Sequence, residues 1–229
     1  MSVYESDRMK NRCKLAPSLL EADYRYLDGQ LKAMERAGAD CVHIDVMDGM
    51  FVPNLSFGFK LIRSIRRSTA LDFDVHMMVQ EPGRFVGRMA DAGATGITVH
   101  YEACGDAEST LAEIRNCGVR AGLALKPGTA LDVLGDGLLK ASDVIHLMTV
   151  EPGLEGQTFI PESLCRISEL REKLDKVHPD CAIEVDGNIT FANIEAVVTA
   201  GATVIVVGKA LFCGDMEENI RRMKLLMDD

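Results

Sequence analysis

A closed barrel of eight strand–helix units, (β/α)8, is the fold the sequence predicts, and three observations predict it. Eight short apolar runs, near residues 12–19, 41–47, 71–78, 96–101, 118–126, 143–150, 181–186 and 203–208, alternate with longer stretches of helical period. Ala37-Gly38-Ala39, Ala92-Gly93-Ala94 and Ala200-Gly201-Ala202 each end a helical stretch just before an apolar run, and Gly118 marks a fourth such joint. Glycine is the residue that closes a helix in the left-handed conformation without a Cβ clash. Finally, 229 residues with no linker or low-complexity segment suit one domain over 1–229, near the ~250 residues usual for such a barrel.

The elements follow in order. The first run ends in Pro17-Ser18, and the helical stretch after it sets Leu27, Leu31 and Met34 on one face. The second run, Val42-His43-Ile44-Asp45-Val46-Met47, is apolar yet carries a histidine and an aspartate two apart, and Asp48-Gly49 follow. The third run holds His76 near its end, and the fourth ends on His100. After the fifth, segment 129–140 is the least regular of the helical stretches. His146 sits in the middle of the sixth run and reads as structural, as does His178 before Pro179. Leu164, Ile167, Leu170 and Leu174 repeat at helical spacing ahead of the seventh run, which ends on Asp186. The open alternative is a doubly wound sheet, but no GxGxxG follows the first strand, which counts against its dinucleotide-binding form.

A formal net charge of -10 disfavours nucleic acid as a partner, because phosphate backbones require clustered Lys and Arg. No apolar run reaches the ~18 residues of a membrane span, and the N-terminal stretch 1–12 has no apolar leader pattern, so a cytoplasmic protein is expected. Seven cysteines, with no CxxC pair, suit a reduced compartment; Cys41, Cys117 and Cys181 abut strands and are expected to be buried thiols.

In a barrel, chemistry sits where strands end. His43 and Asp45, two apart on one strand, point the same way, and His76 and Asp186 close two other strands. A lone histidine on a strand is more often a hydrogen-bonded structural residue than a ligand. Together, however, His43, Asp45, His76 and Asp186 make a two-nitrogen, two-oxygen set that suits zinc and also accepts iron, manganese or cobalt. His100 is expected to orient one of these ligands or to cover the mouth. A phosphate needs donors, and Gly153, Gly156, Gly187, Asn188, Gly208 and Lys209 lie in the loops after the sixth, seventh and eighth strands, where backbone N–H groups are exposed. Loop glycines more often merely make turns.

The stretches "LAPSLLEAD", "HIDVMDGMFVPNLSFG", "DVHMMV", "MTVEPGLEGQTFIPE" and "IEVDG", in this order, resemble the ribulose-phosphate 3-epimerase family over nearly the whole chain. The resemblance implies a TIM barrel, and an isomerase that interconverts ribulose 5-phosphate and xylulose 5-phosphate by inverting carbon 3, a step of the pentose phosphate pathway. It implies a divalent metal on His43, Asp45, His76 and Asp186, and proton transfer by Asp45 and Asp186. It implies that Met47, Met78 and Met148 cap the enediolate, with Ser18 near the substrate hydroxyls and His76 also facing the substrate. A homo-oligomer, dimer or hexamer, belongs to the same expectation.

Epimerisation beside a ketone removes a proton from one face and returns it on the other, which two carboxylates on opposite faces accomplish without movement. The charge that builds on the enediolate oxygens is what a metal would stabilise. Three positions depart from the family's usual pattern: Glu155 precedes Gly156, Asn188 follows Gly187, and Lys209 follows Gly208. Lys209 offers a direct charge to a phosphate, and Glu155 is placed either to pair with it or to point away. These changes keep open a hexulose 6-phosphate such as allulose 6-phosphate as substrate, or a non-catalytic sugar-phosphate-binding barrel. Orotidine-phosphate decarboxylase and hexulose-phosphate synthase relatives are disfavoured, because "HIDVMD" lacks the lysine of their Asp-x-Lys-x-x-Asp motif.

Overall fold

In the computed structural model, which describes residues 13–228, the eight strands are β1 (Lys14–Pro17), β2 (Cys41–Met47), β3 (Asp72–Met78), β4 (Gly96–His100), β5 (Arg120–Leu125), β6 (Val144–Met148), β7 (Ala182–Asp186) and β8 (Val204–Val207). The N-terminal stretch 1–12 lies outside the described residues. All strand pairs are parallel, each with its sequence neighbour, and β1 pairs with β8. An isolated parallel bridge, Ser18 to His43, joins β1 to β2 and closes the ring. The strand order never reverses, so the doubly wound alternative is excluded and the fold is a single-domain (β/α)8 TIM barrel. No described helix is long and apolar enough to cross a membrane.

The helices are α1 (Leu27–Ala37), α2 (Phe59–Ile65), α3 (Val86–Ala92), α4 (Ala107–Asn116), α5 (Asp136–Ala141), α6 (Ser163–Val177), α7 (Ile194–Thr199), α8 (Lys209–Phe212) and α9 (Met216–Asp228). The expected apolar stripes are buried: Leu27, Leu31 and Met34 on α1, and Ile167, Leu170 and Leu174 on α6, with Leu164 partly covered. Gly38 and Gly93 close α1 and α3 in the left-handed region, at φ 89° and 112°, as the joints require. Segment 129–140 does not form one helix. A 3-10 turn (Leu131–Val133) and α5 are separated at Gly135, whose extended backbone begins α5. Cys41 and Cys181 are buried cysteines, but Cys117 is exposed: it is the C-cap of α4, one residue before Gly118.

The strands' period of two divides the barrel into two cores. Outward-facing Leu15, Val42, Ile44, Val75, Ile97, Leu123, Ile145, Ile183 and Ile205 pack under the helices in one continuous apolar shell, each burial worth about 1.5–3 kcal/mol. Inward, a small plug of Ala16, Cys41, Val204 and Val206 fills part of the lumen. The rest of the lumen is polar, and Asp74, His43, Asp45, His76, Thr98, His100, His146 and Glu184 are all buried. Glycine is required at 122 on β5, where a Cβ would run into the side chain of its register partner Thr98 on β4.

Candidate active site

The register of β2 against β3 sets His43 opposite Asp74, Asp45 opposite His76 and Met47 opposite Met78. β6 sets Met148 opposite Asp186 on β7. Four side chains thereby reach one focus from three strands: ligand-capable atoms of His43, Asp45, His76 and Asp186 lie within 4.8 Å of one another. His43 Nε2 is 3.3 Å from Asp45 Oδ1, and His76 Nδ1 is 3.3 Å from Asp45 Oδ1 and 3.9 Å from Asp186 Oδ2. Asp186 is the most open of the four, its side chain 19% exposed.

Asp45 and His43 are held from behind. Ser18 Oγ donates to Asp45 Oδ2 at 2.7 Å, and the same oxygen accepts from Leu20 N at 3.3 Å. Ser18 is thus both the cap of the turn after β1 and a partner of the acid. Ser56 accepts from Met47 N at 2.9 Å and donates to the Asp45 carbonyl, which fixes the end of β2. His43 Nδ1 donates to Asp74 Oδ2 at 2.8 Å, with Glu184 Oε1 3.2 Å away. Asp48, the second carboxylate of the sequence motif, serves the loop instead, accepting from the backbone N–H groups of Met50, Phe51 and Gln80.

Asp74 and Glu184 were not singled out by the sequence reading. The signal was present: Asp74 stands two before His76 and Glu184 two before Asp186, the spacing that joins His43 to Asp45. His146, read as structural, belongs to the lumen as well. Its ring lies 4.3 Å from that of His76 and 5.8 Å from that of His43, and its Nδ1 has no hydrogen-bond partner. His178 caps the C-terminus of α6, away from the cluster.

The electrostatics favour a cation at the focus. Burial alone would lower the pKa of His43, but Asp45, Asp74 and Glu184 around it hold it well above the ordinary value. Burial would raise that of Asp45, yet His43 and His76 hold it well below. Asp186, with burial and the Asp45 charge both opposing ionisation, is pushed up to about 7. Burial, then neighbouring His146, lowers His76 to about 4, so its imidazole is neutral. His43 Nε2 is fully buried and has no hydrogen-bond partner, although Asp45 Oδ1 is within 3.3 Å. An orphaned ring nitrogen backed by a carboxylate on the other nitrogen is the arrangement of a metal-ligating histidine, so the residues present fit a divalent ion.

Around the cluster, Met47 and Met78 pack with Val52 in a small buried group that Leu20 and Phe51 adjoin. Met148 Sδ is 3.3 Å from His146 Nε2. Beyond β6, Gly153 and Gly156 take positive φ, and a Cβ at 153 would collide with the Val52 side chain. Gly187, at φ 131°, lies against Val150 and Thr149, and Thr149 Oγ1 donates to its carbonyl at 2.6 Å. Asn188 is left-handed, and its carbonyl accepts from Asn193 Nδ2 at 3.1 Å. Gly208 precedes the single turn of α8, whose first residue is the exposed Lys209. No ion pair joins Glu155 to Lys209 among the described residues, so the pairing weighed from sequence does not form; both side chains are exposed. The groove lined by Phe59, Arg63, Arg67 and Arg88 lies on the outer helices, away from these acids.

Comparison with known proteins supplies the remaining observation. Residues 14–212 match the Ribulose-phosphate 3 epimerase family. Ribulose-phosphate 3-epimerase of Aquifex aeolicus is 42% identical over 93% of this chain and 96% of its own, and that of Bacillus subtilis 42% identical over 87% and 92%. The cytoplasmic isoform of Oryza sativa is 40% identical over 87% of each chain. Among solved structures, tryptophan synthase of Mycobacterium tuberculosis superposes with a TM-score of 0.71 at 17% identity, covering 98% of this chain and 96% of that one, a likeness of fold alone.

Proposed function

This chain belongs to the ribulose-phosphate 3-epimerase family, and we propose that it inverts carbon 3 of D-ribulose 5-phosphate to give D-xylulose 5-phosphate by proton transfer between Asp45 and Asp186. The observation that carries the reading is a pair of carboxylates from opposite parts of the ring whose proton affinities are driven apart. Asp45 is held ionised, while Asp186 keeps its proton up to about pH 7. Such divergence is how an acid and a base are assigned within one site. In one direction Asp45 takes the proton from carbon 3 and Asp186 gives one to the opposite face; in the other their parts exchange. Ser18 holds Asp45 in place at 2.7 Å, and Met47, Met78 and Met148 limit water above the planar intermediate.

His43, Asp45, His76 and Asp186 would hold one divalent cation, with zinc suited to two imidazoles and two carboxylates. When bound, that ion supplies Lewis-acid stabilisation of the enediolate oxygens. The phosphate rests on the loops of Gly153, Gly156, Gly187, Asn188 and Gly208, with Lys209 adding charge. The exposed Lys209 and the left-handed Asn188 also favour a second reading, a hexulose 6-phosphate such as allulose 6-phosphate. The homo-oligomer expected from the resemblance is measured by sedimentation.

The test is incubation of ribulose 5-phosphate and allulose 6-phosphate in deuterated water with zinc-loaded protein. Deuterium entering carbon 3 of the pentulose, with xylulose 5-phosphate appearing, is expected. Faster wash-in with the hexulose moves the assignment to the second reading, and no wash-in with either leaves a binding barrel.

A further inference from the structure

Behind His76 runs a chain of hydrogen bonds that the proton transfer itself does not use. His76 Nε2 lies 2.9 Å from His100 Nε2, and His100 Nδ1 lies 3.2 Å from Glu102 Oε2. The other carboxylate oxygen, Oε1, accepts from Lys126 N at 2.8 Å and from the Thr129 hydroxyl. His76 and His100 are fully buried. Phe51 lies over His100 with ring centroids 4.9 Å apart, and Lys126 Nζ is 4.1 Å from the Phe51 ring.

The direction of this chain is fixed by its outer end. A carboxylate only accepts, so His100 Nδ1 carries the hydrogen. A neutral His100 then presents a bare Nε2, which accepts. His76 Nε2 must therefore donate across the tighter 2.9 Å contact, which takes the single ring hydrogen away from the longer 3.3 Å hydrogen bond between His76 Nδ1 and Asp45 Oδ1 and leaves Nδ1 bare. That is the nitrogen facing Asp45 Oδ1 at 3.3 Å and Asp186 Oδ2 at 3.9 Å. Two protonated Nε2 atoms cannot share a 2.9 Å contact, so the order cannot be mixed.

We propose that Glu102 is a positioning residue: through His100 it locks His76 in the Nε2–H tautomer, so that the Nδ1 lone pair is presented to a divalent cation. The inference rests on the metal-binding part of the function proposed above. It makes an asymmetry out of the two histidine ligands. His43 is locked directly by Asp74 on Nδ1 and offers Nε2, whereas His76 is locked at second hand and offers Nδ1.

Glu102→Gln tests this more sharply than a truncation. The variant has nearly the same shape, but only one end of its side chain accepts. The backbone N–H of Lys126 cannot reverse, so the amide oxygen stays with it and the NH2 group turns to His100 Nδ1. Every link then reverses, and His76 Nδ1 acquires the hydrogen that blocks a metal. Two readouts are needed. Nitrogen-15 spectra of the metal-free protein are expected to show His76 as Nε2–H and His100 as Nδ1–H in the wild type, with both inverted in Glu102→Gln. Cobalt titration is expected to show about 10–100-fold weaker binding in the variant, at an unchanged melting temperature of the metal-free protein. A wild-type His100 protonated on Nε2, or a Glu102→Gln variant with inverted tautomers and undiminished cobalt affinity, overturns the proposal. A variant that keeps the wild-type tautomers overturns it too. Failure of the epimerase reading shows up separately, as wild-type protein that binds cobalt with these tautomers yet leaves ribulose 5-phosphate unchanged.

Discussion

The acid–base cluster stands on strands, whereas the donors proposed for the phosphate stand on loops, and the two halves of the mouth are built differently. His43, Asp45, His76 and Asp186 are buried or nearly so, and the first three are braced by Asp74, Ser18 and His100 at 2.7–2.9 Å. Across the mouth the groups are backbone turns at Gly153, Gly156, Gly187 and Asn188, all at positive φ, with one exposed side chain, Lys209. Strands fix side-chain direction through the ladder and the pleat, so charge can be concentrated at a chosen depth. Loops contribute conformation and N–H groups, which many sequences supply. The difference teaches where substitution is expected to be tolerated: the three positions that depart from the pattern implied by the resemblance, Glu155, Asn188 and Lys209, fall on the loop side and none among the four strand-borne groups.

The largest expected effect tests the strand side. Asp186→Asn removes one proton carrier and should lower turnover by about 10²–10⁴-fold, read as loss of both epimerisation and carbon 3 exchange. Normal turnover in that variant would erase the distinction between the halves. Next comes the loop-side glycine that packs against backbone. A Cβ at Gly187 would meet Val150 Cγ2 at 2.7 Å and Val150 N at 2.8 Å, at a φ of 131°. Gly187→Ala should cost about 1–3 kcal/mol of stability and loosen substrate binding, seen as a lower Tm and a raised KM.

Lys209→Ala sharpens the comparison from its most exposed point. It removes uniform binding energy, so KM should rise about tenfold, equivalent to ~1.4 kcal/mol, with kcat nearly unchanged. An unaltered KM would remove Lys209 from the phosphate end. The smallest effect concerns pH in the metal-free protein. The folded-state pKa of Asp186, about 7, lies above the ~3.9 of an unfolded aspartate. Its proton therefore favours folding below about pH 4, and that contribution is lost as pH rises through about 7. Urea unfolding in the presence of a chelator should show wild-type stability falling relative to Asp186→Asn between these limits. A flat difference would mean that Asp186 holds no proton there.

Much of this site was legible in the chain. Polar residues in apolar runs, placed at strand ends, pick out all four cluster members, and His100 is expected there either to orient a ligand or to cover the mouth. The same rule applied one step further would have found Asp74 and Glu184. Both lie one pleat deeper than the strand ends, below His76 and Asp186. Glu102 carried no such signal. It sits on a 3-10 turn (Tyr101–Ala103), where His100 partners one carboxylate oxygen and the approach of the β5–α5 loop partners the other. Cys117 was misjudged because adjacency to a strand says nothing about which side of a helix cap faces solvent.

By itself the sequence determined the barrel, the strand that carries each acid and imidazole, and the face on which it stands. These follow from periodicity, which is a property of neighbouring residues. Only the tertiary structure decided which nitrogen of each histidine faces the focus, which aspartate keeps a proton, and that Glu155 and Lys209 stay apart. Those outcomes depend on distances between groups far apart in the chain, such as Ser18 and Asp45, or His76 and His100. They are set by desolvation and hydrogen-bond direction, and neither exists until the ring has closed around them.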